Sequence, residues 1–123
     1  MIPTLVISCG DPHSINLEIL AKCQRPKGVR FIIVGSKYHF NHQNNLNSQK
    51  INIDHFQTST EPLSGNVGTI FVDVDETEDH SLTQKYCGDM SIKSLEVAAR
   101  YCQNHGWPLV TLPVNKYLSL IHI

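Results

Sequence analysis

The sequence lacks the charge imbalance and the long apolar runs that mark several classes of protein. Its 123 residues carry 10 Lys and Arg against 11 Asp and Glu, which gives a formal net charge of -1 at pH 7. Because there is neither a basic excess nor a run of like charges, we do not expect nucleic acid or an anionic membrane surface as a partner. No long apolar stretch follows a basic start, so the sequence predicts no signal peptide and no membrane span, and we expect a cytoplasmic protein.

Closely spaced cysteines are also missing. Cys9, Cys23, Cys87 and Cys102 contain no C-x-x-C pair, whereas a small secreted domain usually carries a denser disulfide framework. We therefore expect free thiols in a reducing compartment. What the sequence does have is an apolar fraction of 41%, which is enough to build a hydrophobic core.

Short apolar runs bounded by turn residues predict the strands of an α/β protein. Most of these runs are continuous, which is typical of strands that are buried on both faces of a parallel sheet. They span residues 3–8, 29–34, 69–74 and 109–112, and a weaker alternating run spans residues 51–56.

Helical periodicity appears between the strands. Apolar residues recur every four positions from Ser14 to a stop at Pro26, and residues 37–49 begin a helix that we expect to be poorly packed because Asn and Gln dominate it. Residues 89–104 are the clearest helix, beginning at Gly88 or Asp89, and its predicted core stripe comprises Ile92, Leu95, Ala98, Ala99 and Cys102. The alternation predicts a three-layer α/β/α domain with a mostly parallel sheet.

Ligands of such sheets bind beyond the carboxyl ends of the strands, often at a helix N-terminus. Three segments lie at predicted strand ends: the loop from Gly10 through Asp11 to Ser14, the pair Gly35-Ser36, and residues 113–116. In the first loop, Gly, Asp, Pro and Ser also suit a plain turn with a capped helix. In the last segment, Asn115 and Lys116 could hold a phosphate or carboxylate, although an exposed lysine is usually only solvated.

Other familiar sites are absent from the sequence. No loop has the glycine spacing of a dinucleotide fingerprint or a P-loop, and H-E-x-x-H does not occur. His39 and His42 would share a helix face, but no third ligand stands at a recognisable spacing, so we expect no metal site in this chain. The acidic residues between Asp73 and Asp79 are expected to form a solvated loop.

Two ordered motifs resemble the 4-hydroxythreonine-4-phosphate dehydrogenase family. The segment ISCGDPHSINLEIL is similar to the family's opening strand and turn, commonly G-D-P-A-G-I-G-P-E. The segment LVTLPVNK is similar to a later family strand, commonly a-l-V-T-a-P-i-N-K. The matching residues are Gly10, Asp11, Pro12, Ile15 and Glu18 in the first motif and Val110, Thr111, Pro113, Asn115 and Lys116 in the second.

The resemblance implies a fold and an activity for residues 1–117. It implies part of an isocitrate/isopropylmalate dehydrogenase-like two-domain fold, in a homodimer with the active site between domains. The implied reaction is NAD-dependent oxidation and decarboxylation of 4-phosphooxy-L-threonine, a small phosphorylated amino acid, in vitamin B6 (pyridoxal phosphate) synthesis. A divalent metal (zinc, magnesium or cobalt) would act as Lewis acid. Gly10, Asp11, Asn115 and Lys116 are the implied substrate- or cofactor-binding residues, whereas the metal-binding histidines of the family lie farther along than this chain reaches.

The resemblance ends after Lys116. Residues 118–123, LSLIHI, are the translation of CTG TCT CTT ATA CAC ATC, the reverse strand of a transposon end that is used as a sequencing adapter. We therefore hypothesise that this tail is not native and that residues 1–117 are the amino-terminal portion of an enzyme, inactive alone. The alternative for the tail is a genuine terminal strand.

Two other functions stay open. His13, Ser14, Asn16 and Leu17 replace small and glycine-containing positions of the family loop, which restricts the backbone there and suggests a noncatalytic paralogue. A small flavodoxin-like module that binds a phosphorylated ligand without catalysis is the other alternative.

Overall fold

The apolar runs of the sequence form five strands of one parallel sheet. The structure is a computed structural model that describes residues 2–12, 20, 25–63 and 68–112. Its strands are β1 (Thr4–Ser8), β2 (Arg30–Gly35), β3 (His55–Thr58), β4 (Thr69–Asp73) and β5 (Leu109–Thr111). They lie in the order β3-β4-β2-β1-β5, and all four pairings are parallel.

Two described helices cover opposite faces of this sheet. They are α1 (Lys37–Leu46) and α2 (Gln84–His105). On one face Phe40 of α1 and Leu20 pack with Ile7, Phe31, Ile33 and Phe71. On the other face Val97 and Ala98 of α2 pack with Val6, Ile32, Val34, Ile70 and Val72. Because neighbouring residues of a strand point to opposite faces, each continuous apolar run supplies both layers. The predicted three-layer α/β/α fold with a parallel sheet is confirmed.

The predicted start of the long helix is wrong, and its predicted core stripe is right only in part. The helix begins at Gln84, because Thr83 caps it by accepting a hydrogen bond from the backbone N–H of Tyr86 at 3.1 Å. Gly106, with φ of 71°, ends it in the left-handed conformation that glycine favours. The side chains that face the sheet include Met90, Ser94, Val97 and Ala98, while Ile92 and Leu95 of the predicted stripe are 44% and 45% exposed.

The predicted strand over residues 51–56 is shifted toward the carboxyl end. Asn44 of α1 binds both backbone groups of Ile51, its amide nitrogen donating to the carbonyl oxygen and its amide oxygen accepting from the N–H, each at 2.9 Å. The backbone of Ile51 is therefore satisfied without a partner strand, and pairing begins only at His55.

The Asn-rich segment is helical only to Leu46 and is better packed than predicted. Ser36 caps α1, and Phe40 of this helix is fully buried against Phe71, with ring centroids 4.6 Å apart.

The predicted helix from Ser14 lies outside the described residues, apart from Leu20, which is buried. Cys23 and residues 113–123 also lie outside the described residues. No helix among the described residues is long and apolar enough to cross a membrane.

Candidate functional site

The strand order brings the end of β1 and the end of β5 together at the carboxyl edge of the sheet. β1 lies between β2 and β5, so the chain leaves β1 in one direction and returns on its other side at β5. A crevice forms at such a reversal of strand order, and ligands of open α/β sheets bind there. Ser8 stands opposite Thr111, and the N–H of Leu112 donates to the carbonyl oxygen of Ser8 at 3.1 Å. The loop after β1 and the chain after β5 therefore start side by side.

The loop after β1 is built tightly. Gly10 has φ of 70°, a value that glycine adopts without strain. Asp11 is 1% exposed, and it has interaction partners within the protein. The N–H of Cys9 donates to the carbonyl oxygen of Val34 at 2.9 Å, which fixes the loop to the end of β2. Asn115 and Lys116, the other predicted site residues, lie outside the described residues.

Another predicted segment, Gly35-Ser36, belongs to a separate hydrogen-bond network at the ends of β2 and β4. Its centre is Asp75, whose side chain is 1% exposed. Asp75 Oδ2 accepts from the hydroxyl of Ser36 at 2.9 Å, from the hydroxyl of Tyr86, and from Nδ1 of His80 at 2.9 Å. Asp75 Oδ1 accepts from the N–H and the hydroxyl of Thr77, at 3.1 and 2.6 Å. The expectation that this acidic loop is only solvated is wrong for Asp75.

These hydrogen bonds fix the charge of the carboxylate. Burial alone raises the pKa of Asp75, but the donors Thr77, Tyr86 and Ser36 outweigh burial and lower this pKa to about 2. The pKa of Tyr86 is raised, by burial first and by its hydrogen bond to Asp75 second. Asp75 is therefore ionised at neutral pH, and Tyr86 keeps its proton.

His80 is oriented by three contacts. Because Asp75 is ionised, Nδ1 of His80 carries the proton of their hydrogen bond. The His80 ring stacks on Tyr38 with centroids 4.1 Å apart. The backbone carbonyl oxygen of His80 accepts a hydrogen bond from His39 Nε2 at 2.9 Å. Burial lowers the pKa of His39, so that ring is neutral at pH 7. With Nδ1 engaged by Asp75, Nε2 is the ring nitrogen of His80 that is left for a ligand.

An open cavity of about 530 Å³ lies over this network. Asp73 on its floor is already engaged, because its Oδ1 accepts from the backbone N–H groups of Lys37 and Asp75 at 3.1 and 3.0 Å. Within the described part of the chain, Lys37 Nζ and His80 Nε2 have no hydrogen-bond partner. The cavity can therefore offer a cation and an imidazole to a small polar ligand. Its lining residues are Lys37, Tyr38, Asn41, His42, Asp73, Asp75, Thr77 and His80.

Sequence spacing could not reveal this network. Ser36 is 39 residues from Asp75, and Tyr86 is 11 residues beyond it, and no motif has those separations. The only signal was that Ser36 and Asp75 both follow predicted strands. Among the residues that the structure describes, no three His, Cys, Asp or Glu side chains are grouped so that they could hold a metal ion.

Solved dehydrogenases share this fold. A Salmonella typhimurium protein assigned as a 4-hydroxythreonine-4-phosphate dehydrogenase is 19% identical, with a TM-score of 0.66 over 98% of this chain and 40% of its own. The Klebsiella pneumoniae 4-hydroxythreonine-4-phosphate dehydrogenase is 20% identical, with a TM-score of 0.64 over the same shares. The chain thus spans about 40% of their length. No family model and no curated protein matches the sequence.

Proposed function

We propose that this chain is the amino-terminal part of an NAD- and divalent-metal-dependent dehydrogenase that oxidises and decarboxylates 4-phosphooxy-L-threonine in vitamin B6 synthesis. The observation that carries the proposal is the placement of the two motifs. Gly10-Asp11-Pro12 and Val110-Thr111 lie far apart in sequence, yet they end neighbouring strands at the point where the strand order reverses. The fold likeness to solved dehydrogenases supports the same assignment.

The proposed roles follow from position and chemistry. We propose that Gly10 lets the backbone turn toward the ligand at the sheet edge, and that Asp11 contributes to binding by fixing this turn from within the loop. Lys116 and Asn115, four to five residues beyond Thr111, supply a cation and an amide for the phosphate or carboxylate of the substrate. We assign these four residues to substrate or cofactor binding and none to proton transfer.

The described residues do not supply a metal site, since they contain no suitable group of ligands. Following the family resemblance, we assign the metal ligands, whether for zinc, magnesium or cobalt, to histidines farther along than this chain reaches. We therefore propose that the 123-residue chain alone is inactive. We further propose that the complete enzyme is a cytoplasmic homodimer.

The test uses the complete protein, expressed from a gene recovered from unfragmented DNA. With NAD, a divalent metal and 4-phosphooxy-L-threonine, we expect NADH to form. Replacing Lys116 by Ala removes a charged hydrogen bond and should lower kcat/KM about 10-fold to 100-fold. Lys27→Ala is the matched control, because Lys27 is an exposed lysine in the turn before β2, at the opposite edge of the sheet. A folded, metal-loaded protein that forms no NADH would overturn the proposal, and turnover by the 123-residue chain would overturn the claim of inactivity.

A second candidate is a module that binds a small phosphorylated ligand without catalysis. The cavity lined by Lys37, His42 and His80 favours it, because the Lys37 ammonium can offer a positive charge to an anion and the imidazoles can hydrogen-bond a phosphate group. Titration with inorganic phosphate, followed through the imidazole NMR signals of His42 and His80, tests this candidate. Saturable shifts without metal that vanish in Lys37→Ala would support it, and unchanged signals would reject it.

A further inference from the structure

The imidazole of His80 lies between a buried carboxylate and the open cavity. We propose that this arrangement makes the cavity a proton-coupled anion site, in which a tetrahedral dianion, such as the phosphate group of a small molecule, binds His80 Nε2 only when that nitrogen carries a proton. The proton comes from the solvent, so a neutral His80 takes up one proton for each ligand that binds. The inference builds on the cavity of the second candidate function, and it does not depend on the proposed dehydrogenase reaction.

The carboxylate of Asp75 decides which ring nitrogen of His80 is left for a ligand. Asp75 is ionised and can only accept hydrogen bonds, so His80 Nδ1 donates to it at 2.9 Å. The side chain of His80 is 25% exposed, whereas that of Asp75 is 1% exposed. Because Nδ1 is directed at the buried carboxylate, the exposed edge of the ring carries Nε2.

The ring of His80 is held in this orientation from two further directions. It stacks on Tyr38, with an angle of 10° between the two ring planes. Its backbone is held as well, because the carbonyl oxygen of His80 accepts a hydrogen bond from His39 Nε2. A flipped ring would also leave the charge of Asp75 with one donor fewer, which is costly for a buried carboxylate. A ligand in the cavity therefore meets Nε2.

The protonation state of Nε2 determines which ligands it can bind. When the ring is neutral and Nδ1 carries the proton, Nε2 has only a lone pair, which repels the oxygens of a dianion. When the ring is charged, Nε2 has an N–H group that can donate a charge-assisted hydrogen bond to the same oxygens. A dianion can therefore use His80 only after the ring has gained a proton.

The charges around the cavity act in the same direction. With its histidines counted as neutral, the lining carries the positive charge of Lys37 against the negative charges of Asp73 and Asp75. A proton on His80 balances these charges, which lowers the electrostatic cost of bringing in a dianion. The ammonium group of Lys37 lies over the ring of Phe56, 4.9 Å from its centroid, and it donates no hydrogen bond to the described residues, so its N–H groups remain for the ligand.

Several other titratable groups surround His80. Burial lowers the pKa of His39 and raises the pKa of Tyr86, so neither group gains or loses its charge above neutral pH. His42 also lines the cavity and could take up a proton in place of His80, so it needs its own control. The titratable and charged groups around His80 among the described residues are Asp73, Asp75 and Asp79 from β4 and the segment after it, Lys37, Tyr38, His39 and His42 from α1, and Tyr86 from α2.

Replacing Asp75 by Asn should reverse the tautomer of His80. Asp75 Oδ1 accepts from the backbone N–H of Thr77, which can only donate, so an Asn side chain must keep its oxygen on that side. Its NH₂ group then takes the place of Oδ2 and donates to His80 Nδ1, while the hydroxyl of Ser36 or Tyr86 accepts its second N–H. Neutral His80 would then carry its proton on Nε2 and could bind a dianion without taking up a proton.

The test measures sulfate binding by the complete protein, labelled with ¹⁵N at histidine, at constant ionic strength. Sulfate stays a dianion near neutral pH, so any proton that is taken up goes to the protein. The imidazole ¹⁵N signals should show the proton of neutral His80 on Nδ1. Above the pH at which these signals titrate, the dissociation constant for sulfate should rise about 10-fold per pH unit.

Four variants distinguish His80 from its neighbours. In Asp75→Asn the proton should move to Nε2, and the dissociation constant should level off above the titration of His80 instead of rising. His80→Gln should lose the pH dependence, and His42→Gln should keep it. Glu78→Gln is the matched control for Asp75→Asn, because it removes the same charge from an exposed position of the same loop, and it should also keep the pH dependence.

Three results would overturn the proposal. The first is no saturable sulfate binding at any pH, which would also count against the second candidate function. The second is saturable binding that does not change with pH, which would reject the proton coupling and leave that candidate standing. The third is an unchanged pH dependence in His80→Gln, which would assign the proton to another group. If Asp75→Asn fails to fold, the tautomer of the parent protein and the comparison with His80→Gln decide.

Discussion

Replacing Asp75 by Asn should destabilise the chain by an amount that the hydrogen-bond network sets. The network lowers the pKa of Asp75 from 3.8 to about 2, and one pKa unit corresponds to about 1.4 kcal/mol. The ionised form is therefore favoured by about 2 kcal/mol, of which solvent near the cavity screens a part. We expect Asp75→Asn to lower the free energy of unfolding at pH 7 by about 1 to 2 kcal/mol.

The pH dependence of this loss has a definite sign. Because the folded-state pKa is lower than the unfolded one, the carboxylate contributes its full stabilisation above pH 3.8 and loses it as the pH falls toward 2. The difference between the parent chain and Asp75→Asn should therefore be constant near neutrality and shrink between pH 4 and pH 2. The lowered pKa of His39 acts in the same direction on both chains, since a neutral buried imidazole must be charged as the pH falls below 6.5.

Urea unfolding at low micromolar concentration, followed by far-ultraviolet circular dichroism and by the fluorescence of the single tryptophan, Trp107, measures the effect. Glu78→Gln is the matched control, because it removes the same charge from an exposed position of the same loop. An Asp75→Asn chain as stable as the Glu78→Gln chain at pH 7 would refute the reasoning. So would a stability difference that stayed constant down to pH 2.

Four further outcomes are expected. Phe40→Ala should lower the free energy of unfolding by about 3 to 5 kcal/mol in the same urea assay, because Phe40 is fully buried against the sheet, and a loss below about 1 kcal/mol would contradict this packing. Burial raises the pKa of the Cys9 thiol to about 12, so mass spectrometry should find Cys9 modified by a thiol reagent only after urea is added, and modification of the folded chain would contradict its burial. The double change Ile92→Lys and Leu95→Lys should raise the solubility of the isolated chain in a sedimentation assay, because both side chains are exposed. Unchanged solubility would show that these two residues do not cause self-association. Long-read sequencing of unfragmented DNA should give codons after Tyr117 other than those for LSLIHI, and a natural stop codon directly after that string would refute the adapter hypothesis.

The sequence predicted the sheet well because burial on both faces leaves a continuous apolar run. β2 is such a run, and its predicted and observed bounds differ by one residue at each end. β3 was predicted less well, because apolar Ile51 and Ile53 suggested pairing there. They pack against the core, but the side chain of Asn44 takes the backbone hydrogen bonds of Ile51. A contact between a helix and a distant loop cannot be predicted from local pattern.

The sequence pointed to strand ends for a similar reason, since an apolar run that stops at turn residues is recognisable. The parallel topology brings the end of β1 and the end of β5 together, and ligand binding there stays a prediction. The network around Asp75 joins residues from three elements, so composition indicated only an acidic loop. The core stripe of α2 was right for Ala98 and Cys102, which lie in or against the core, but Ile92 and Leu95 are exposed. Periodicity alone does not distinguish an exposed apolar residue from a buried one next to it.

The most direct test of the central claim is the stoichiometry of the reaction that the complete protein catalyses. With a divalent metal, NAD and 4-phosphooxy-L-threonine, we expect NADH and carbon dioxide to form in equal amounts, and neither to form with the 123-residue chain. A complete, folded and metal-loaded protein that produces neither would contradict it.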